Sequence, residues 1–180
     1  MSNPLNRILV VEIRAARLGY AVFETPTRLC DFGAAWFEVP GAARSRIARL
    51  LRLCRPSLLV LRGGTMRYPR SMRKRRRIAR IACDETKKFG IPIARIAERE
   101  FAAYFERHSC RDKYDVATAV AARFPDLAWR VPARPNFYDP EPRSILYFDS
   151  IALGMAYLDL TSELEPKHTG EDGILSPASK

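Results

Sequence analysis

Asn6 to Thr25 reads NRILVVEIRAARLGYAVFET, and two short apolar runs divide it. Ile8 to Val11 is continuously apolar, the pattern of a strand buried on both faces of a parallel or mixed sheet. Glu12 follows at once. Gly19 and Tyr20 then open a second run, ending at Phe23, after a gap short enough for a hairpin return. A carboxylate at the end of a central strand is costly to bury unless a metal or a cation meets it. What meets Glu12 therefore decides the function.

Outward from this hairpin, Thr25-Pro26-Thr27 makes a turn and Arg28 to Val39 reads as a third strand, weakened at Gly33. Pro40-Gly41 ends the antiparallel meander. Ala42 to Cys54 is a helix with Ile47, Leu50, Leu51 and Cys54 on one face and Arg44, Arg46, Arg49 and Arg52 elsewhere. Leu58 to Leu61 is another apolar strand, ending at Arg62 before Gly63-Gly64. A helix follows, closed by Gly90. Ile91 to Ile96 is a strand with Pro92 at its start. Ala97 to Arg107 and Asp112 to Phe124 are helices, and Pro125 to Pro142 is an ordered irregular connection. Arg143 to Leu160 is the last helix, with Asp149 the one acid in its middle. Residues 1–161 read as a single domain and 162–180 as a disordered acidic tail. Trp36, Trp129 and Phe137 are expected in core or interface packing, and so, taken singly, are Tyr68 and Tyr104.

The chain has 180 residues, enough for one domain with a proper core. Its balance is strongly basic: 31 Lys+Arg against 20 Asp+Glu, a net charge of +11. Without the tail the body carries 29 cations against 16 acids, or +13. Such a surplus points to a polyanionic partner, nucleic acid first and an anionic membrane surface second. No run approaches the ~18 apolar residues of a membrane span, and MSNPLNR lacks the apolar core of a secretory signal. The four cysteines are widely spaced, so reduced thiols and a cytoplasmic setting are expected. Two histidines exclude a His-rich metal site.

The surplus is concentrated. Arg70, Arg73, Lys74, Arg75, Arg76, Arg77 and Arg80 place seven cations within eleven residues with no acid between them. A solvated helix face is the ordinary fate of a charge run. Like charges at helical spacing destabilise a helix, however, unless phosphates neutralise them. The cluster therefore reads as a nucleic-acid contact, with Arg99, Arg111 and Lys113 as extensions of the same surface.

Three antiparallel strands, then helix–strand–helix–strand, then helices, is the order of an RNase H-like α/β fold. It implies a mixed five-stranded sheet, three strands antiparallel and then two parallel, flanked by helices. Within that superfamily several segments resemble RuvC-type Holliday junction resolvases. ILVVEIRAARLGYAV is similar to their first hairpin, Pro56 to Arg62 to a proline-led strand that ends in Glu, and RKRRRIARIACDETKKFGIPIARIAEREF to a long helix with the strand after it. Arg111-Asp112-Lys113 is similar to a basic motif with a DNA-contacting lysine, and Phe148 to Leu153 to the final Asp-Ala-rich helix.

The resemblance implies two divalent metals, Mg²⁺ or Mn²⁺, held by about four carboxylates for phosphodiester hydrolysis. It also implies branched DNA as partner and a homodimer. Carried over, the first acid is Glu12, the strand-end acid is replaced by Arg62, the final helix keeps Asp149, and its companion acid falls on Leu146. A lysine the family places near Ala102 is absent. The expected protein is therefore a nucleic-acid binder with a degenerate RuvC-like site, its metal's place taken by Arg62 between Glu12 and Asp149, and with no cofactor. Two readings of the site stay open: Arg62 points away, or Asp84, Glu85 or Glu141 completes a compensated metal site. Two other functions also stay open. One is an active Mg²⁺-dependent endonuclease or junction resolvase using Glu12 and Asp149 as ligands. The other is a basic interaction protein for acidic protein or lipid.

Overall fold

The computed structural model describes residues 6–14, 16–63, 69–136 and 140–164. Five strands form one sheet in the order β3-β2-β1-β4-β5, with β1 Ile8–Arg14, β2 Arg17–Thr25, β3 Arg28–Trp36, β4 Leu58–Arg62 and β5 Ile93–Ile96. β1 and β2 form the expected hairpin, with Ile8 opposite Phe23 and Glu12 opposite Gly19. β3 adds antiparallel to β2, while β4 lies parallel to β1 and β5 parallel to β4. The mixed sheet expected from the order of apolar runs is thus the one observed.

Two helical layers cover it. α1 (Pro40–Cys54) and α2 (Pro69–Lys88) pack on one face, burying Ile47, Leu51, Ile78 and Ala82 against Leu9, Val11 and Leu59. α3 (Glu98–Arg107), α4 (Lys113–Arg123) and α5 (Ile145–Leu164) pack on the other, against Val10, Phe23 and Val60. Alternate residues of β1 and β4 therefore serve opposite layers, as the two-residue period of a strand requires. α5 is the central helix of its layer. Ile145, Phe148, Ile151 and Leu153 are essentially inaccessible, each burial stabilising by roughly 1.5–3 kcal/mol.

Gly19 sets how closely α5 approaches. A Cβ there would overlap the Leu146 carbonyl and Ser150 Oγ. The bare backbone of β2 lets the helix lie directly on the hairpin, and Ser150 returns its hydroxyl to Leu146 O at 2.9 Å. This contact brings Asp149 to the end of β1.

Several expectations need correction. β3 stops at Trp36 rather than Val39, because Phe37 N–H turns to bond Ala16 O at 2.9 Å and its ring enters the core. α5 runs to Leu164 rather than Leu160, so the expected tail does not begin at 162. Thr161 and Ser162 bond back to carbonyls of the preceding turn, and Glu163 pairs with Arg107 at 3.7 Å. Trp36 and Trp129 are 45% and 77% exposed, not core residues. Instead their rings carry Arg143 and Arg130 respectively. Tyr104 does pack as expected: it is buried and donates to Asp159 Oδ2 at 2.5 Å. Tyr68, Phe137 and residues 165–180 lie outside the described residues. No described helix is long and apolar enough to cross a membrane, and all four cysteines are unpaired.

Candidate carboxylate–arginine site and nucleic-acid interface

Glu12 lies on the α5 side of the sheet and is 3% exposed; it does not end the strand as expected, because β1 continues through buried Ile13 to Arg14. The parallel register pairs Val11 with Leu61, so the next residues, Glu12 and Arg62 at the end of β4, are neighbours. Arg62 Nη1 lies 3.6 Å from Glu12 Oε2, and Arg75 Nη2 lies 3.9 Å from Oε1. Both are ion pairs beyond hydrogen-bond reach, and Oε2 is buried without a hydrogen-bond partner among the described residues. Arg62 is fixed on its other flank. Its guanidinium carbon sits 3.6 Å from the centroid of the Phe101 ring, and its Nε pairs with Glu98 Oε2 at 3.0 Å.

Arg14 shares the face of Glu12, two residues on. It bonds Glu141 Oε2 at 2.6 Å and makes a very short contact with Asp149 Oδ2. Lys113 closes on Glu141 Oε1. Glu12 and Asp149 are thus met by different cations, Arg62 with Arg75 on one and Arg14 on the other. Arg62, expected between Glu12 and Asp149, pairs with Glu12, whereas Asp149 is held by Arg14.

Burial dominates the electrostatics of both carboxyls. It pushes Glu12 up to about 7, with Asp149 adding to the shift and Arg62, Arg75 and Arg14 opposing it. Burial also raises Asp149, against the attraction of Arg14 and Arg62. Glu141 is desolvated too, yet Lys113 and Arg14 carry it below the usual carboxylate range.

The residues present do not fit a pair of divalent metals. Guanidinium groups face both Glu12 and Asp149, and Leu146 is buried and brings no carboxylate. Among the described residues no group of three or more His, Cys, Asp or Glu side chains is placed to hold a metal ion. The proposed compensating acids divide. Glu85 belongs to the other layer, held by Arg44 at 2.9 Å and Lys88 at 2.8 Å. Asp84 is exposed on α2. Glu141 does reach the site, though as a partner of Arg14 and Lys113. Arg14 and Glu98 are the residues that sequence reasoning missed. Two-residue alternation from Glu12 would have pointed to Arg14, whereas nothing local signals Glu98.

The basic cluster is not one surface. Arg73, Lys74, Arg76, Arg77 and Arg80 are exposed on α2, and the side chain of Arg70 is outside the description. Arg75 is only 11% exposed and turns inward. It lies three and seven residues before Ile78 and Ala82, on the stripe that faces the sheet. Arg111 and Lys113 do not extend the α2 face. They line a cleft of about 920 Å³ on the opposite layer, whose walls include Arg14, Arg62 and Asp149 and whose floor is Phe101 and Phe105. Arg111 projects from it, loosely paired with Asp115 at 3.3 Å.

The strand order β3-β2-β1-β4-β5, with β1, β4 and β5 parallel and helices on both faces, defines a RuvC-like fold of the RNase H type. Among solved structures, Thermus thermophilus RuvC superposes with a TM-score of 0.67 at 13% identity, over 87% of this chain and 96% of that one. Thermus thermophilus RuvC in complex with a Holliday junction substrate gives 0.65 at 13% identity, over 88% and 96%. Ydc2, the yeast mitochondrial Holliday junction resolvase, gives 0.62 at 11% identity, over 91% and 82%. The likeness is one of fold. No protein-family model matches the sequence, and no curated protein matches it.

Proposed function

We propose that this protein binds nucleic acid through a RuvC-like scaffold and does not hydrolyse it. The observation that carries the reading is a guanidinium on each of the two carboxylates where the fold would place metal ligands. A fixed cation there opposes a divalent ion by Coulomb repulsion, more strongly in a buried site than in water. The carboxylates then act as anchors for Arg14 and Arg62, whose outer faces line the cleft. The exposed cations of α2, with Arg111 and Lys113 at the cleft, supply the backbone contacts. Branched DNA is the first substrate to try, because one of the structural neighbours is a Holliday junction resolvase by name and another is bound to such a junction.

The test combines binding, cleavage and melting. A four-way DNA junction should be retained in a gel shift and remain intact in millimolar Mg²⁺ or Mn²⁺. The melting temperature should not respond to either ion. Metal-dependent cutting, or a metal-dependent rise in melting temperature, would replace this reading with a metal-dependent nuclease. Failure to bind any nucleic acid would leave the basic interaction protein.

A further inference from the structure

Val39 to Cys83 is a stretch of 45 residues with 14 cations and no acid. The fold gathers the helical part of it onto one face. α1 and α2 follow β3 and β4, which run in the same sense, and both helices lie side by side on the sheet. Arg44 of α1 and Lys88 of α2 share Glu85 between the helices. The outward side carries Arg49 and Arg52 from α1, Arg55 at its C-cap and the five exposed cations of α2 named above. No carboxylate among the described residues pairs with any of these eight. Asp84 is the one exposed acid on the two helices.

The arrangement opposes the stability of the helices themselves. Neither has an acid in its first turn, and α2 begins with arginines at the positive end of its dipole. Arg73, Arg76, Arg77 and Arg80 repeat at three- and four-residue spacing, where like charges repel. A polyanion along the face would remove both penalties. The dimensions suit a duplex. At 1.5 Å per residue the 20 residues of α2 span about 30 Å. A duplex presents about one phosphate charge per 1.7 Å, so some 18 charges over that length. Seven of the eight groups are guanidiniums, which grip phosphate oxygens bidentately. A lipid surface fits less well: the apolar stripes of both helices are spent on the sheet, and Leu53 is the large apolar side chain exposed on α1.

We propose that α1 and α2 form a second nucleic-acid-binding face for duplex backbone, on the layer opposite the carboxylate cleft, with Arg49, Arg52 and Arg55 as contacts. This inference rests on the nucleic-acid reading above, which already gives the exposed α2 cations backbone contacts, and adds the arginines at α1 that make with them a face separate from the cleft. The cleft and the helix face point away from each other across the sheet, so one molecule can hold two segments.

The experiment measures binding of a 30-base-pair DNA duplex against salt for the wild type and for the triple variant Arg49→Gln, Arg52→Gln, Arg55→Gln. Loss of three phosphate contacts should lower the slope of log K on log salt by about 2.7. The melting temperature should stay level or rise, since exposed repulsion is relieved. An unchanged slope and affinity would overturn the second face and leave the proposed function standing. Wild-type protein that binds no duplex would sink both. A variant that loses binding to phosphatidylserine vesicles while keeping its duplex affinity would reassign the face to lipid and overturn the proposal.

Discussion

Glu12→Gln is the substitution that most directly tests the physics of the buried site. Burial raises the Glu12 carboxyl from an ordinary 4.5 to about 7. The folded protein therefore holds this proton more tightly than the unfolded chain does. The resulting contribution to stability is complete below about pH 4.5, declines as pH rises, and is gone above about pH 7. At 1.36 kcal/mol per pH unit, the total is about 3 kcal/mol. For a chain of this size that corresponds to about 6–12 °C in melting temperature. Glutamine keeps the shape and cannot titrate, so the wild-type-minus-variant difference isolates Glu12 from the other acids. Chemical denaturation at intervals from pH 5 to 8.5 should show the wild type losing ground to Glu12→Gln with rising pH, flattening beyond about pH 7. A difference independent of pH would mean that Glu12 is ionised throughout, with Arg62 and Arg75 outweighing burial, and the reasoning would fail.

Arg14→Ala should destabilise by roughly 3–5 kcal/mol, because it strands the buried Asp149 and half of Glu141's pairing; adding Asp149→Asn should recover much of that in a double-mutant cycle measured by denaturant melting. Gly19→Ala should cost at least about 1–3 kcal/mol, since the clash includes the rigid Leu146 carbonyl as well as Ser150 Oγ, and thermal melting would read it. Trp129→Ala should change stability by no more than about 0.5 kcal/mol, as befits a ring mostly in solvent; a larger loss in chemical denaturation would restore the ring to a packing role.

Apolar run lengths alone made the sheet legible. A strand buried on both faces cannot alternate, so Ile8 to Val11 and Leu58 to Leu61 marked the centre of a mixed sheet before any contact was known. The parallel register of these two strands then made Glu12 and Arg62 neighbours, which the positions of the two residues at the run ends already implied. The basic character of the chain was equally plain, since charge is counted and not folded. Tertiary structure alone decided which cation meets which acid. Arg14 is anonymous in the sequence because its role depends on α5 settling over Gly19, which carries Asp149 to it across 135 residues. It also divided the cations that looked like one cluster. Arg75 turned inward because it falls on the apolar stripe of its helix, and Arg111 and Lys113 went to the opposite layer because a strand and a helix intervene. Helical phase and layer assignment are global packing outcomes, so a run of like charges can be counted in the sequence but not placed on a surface.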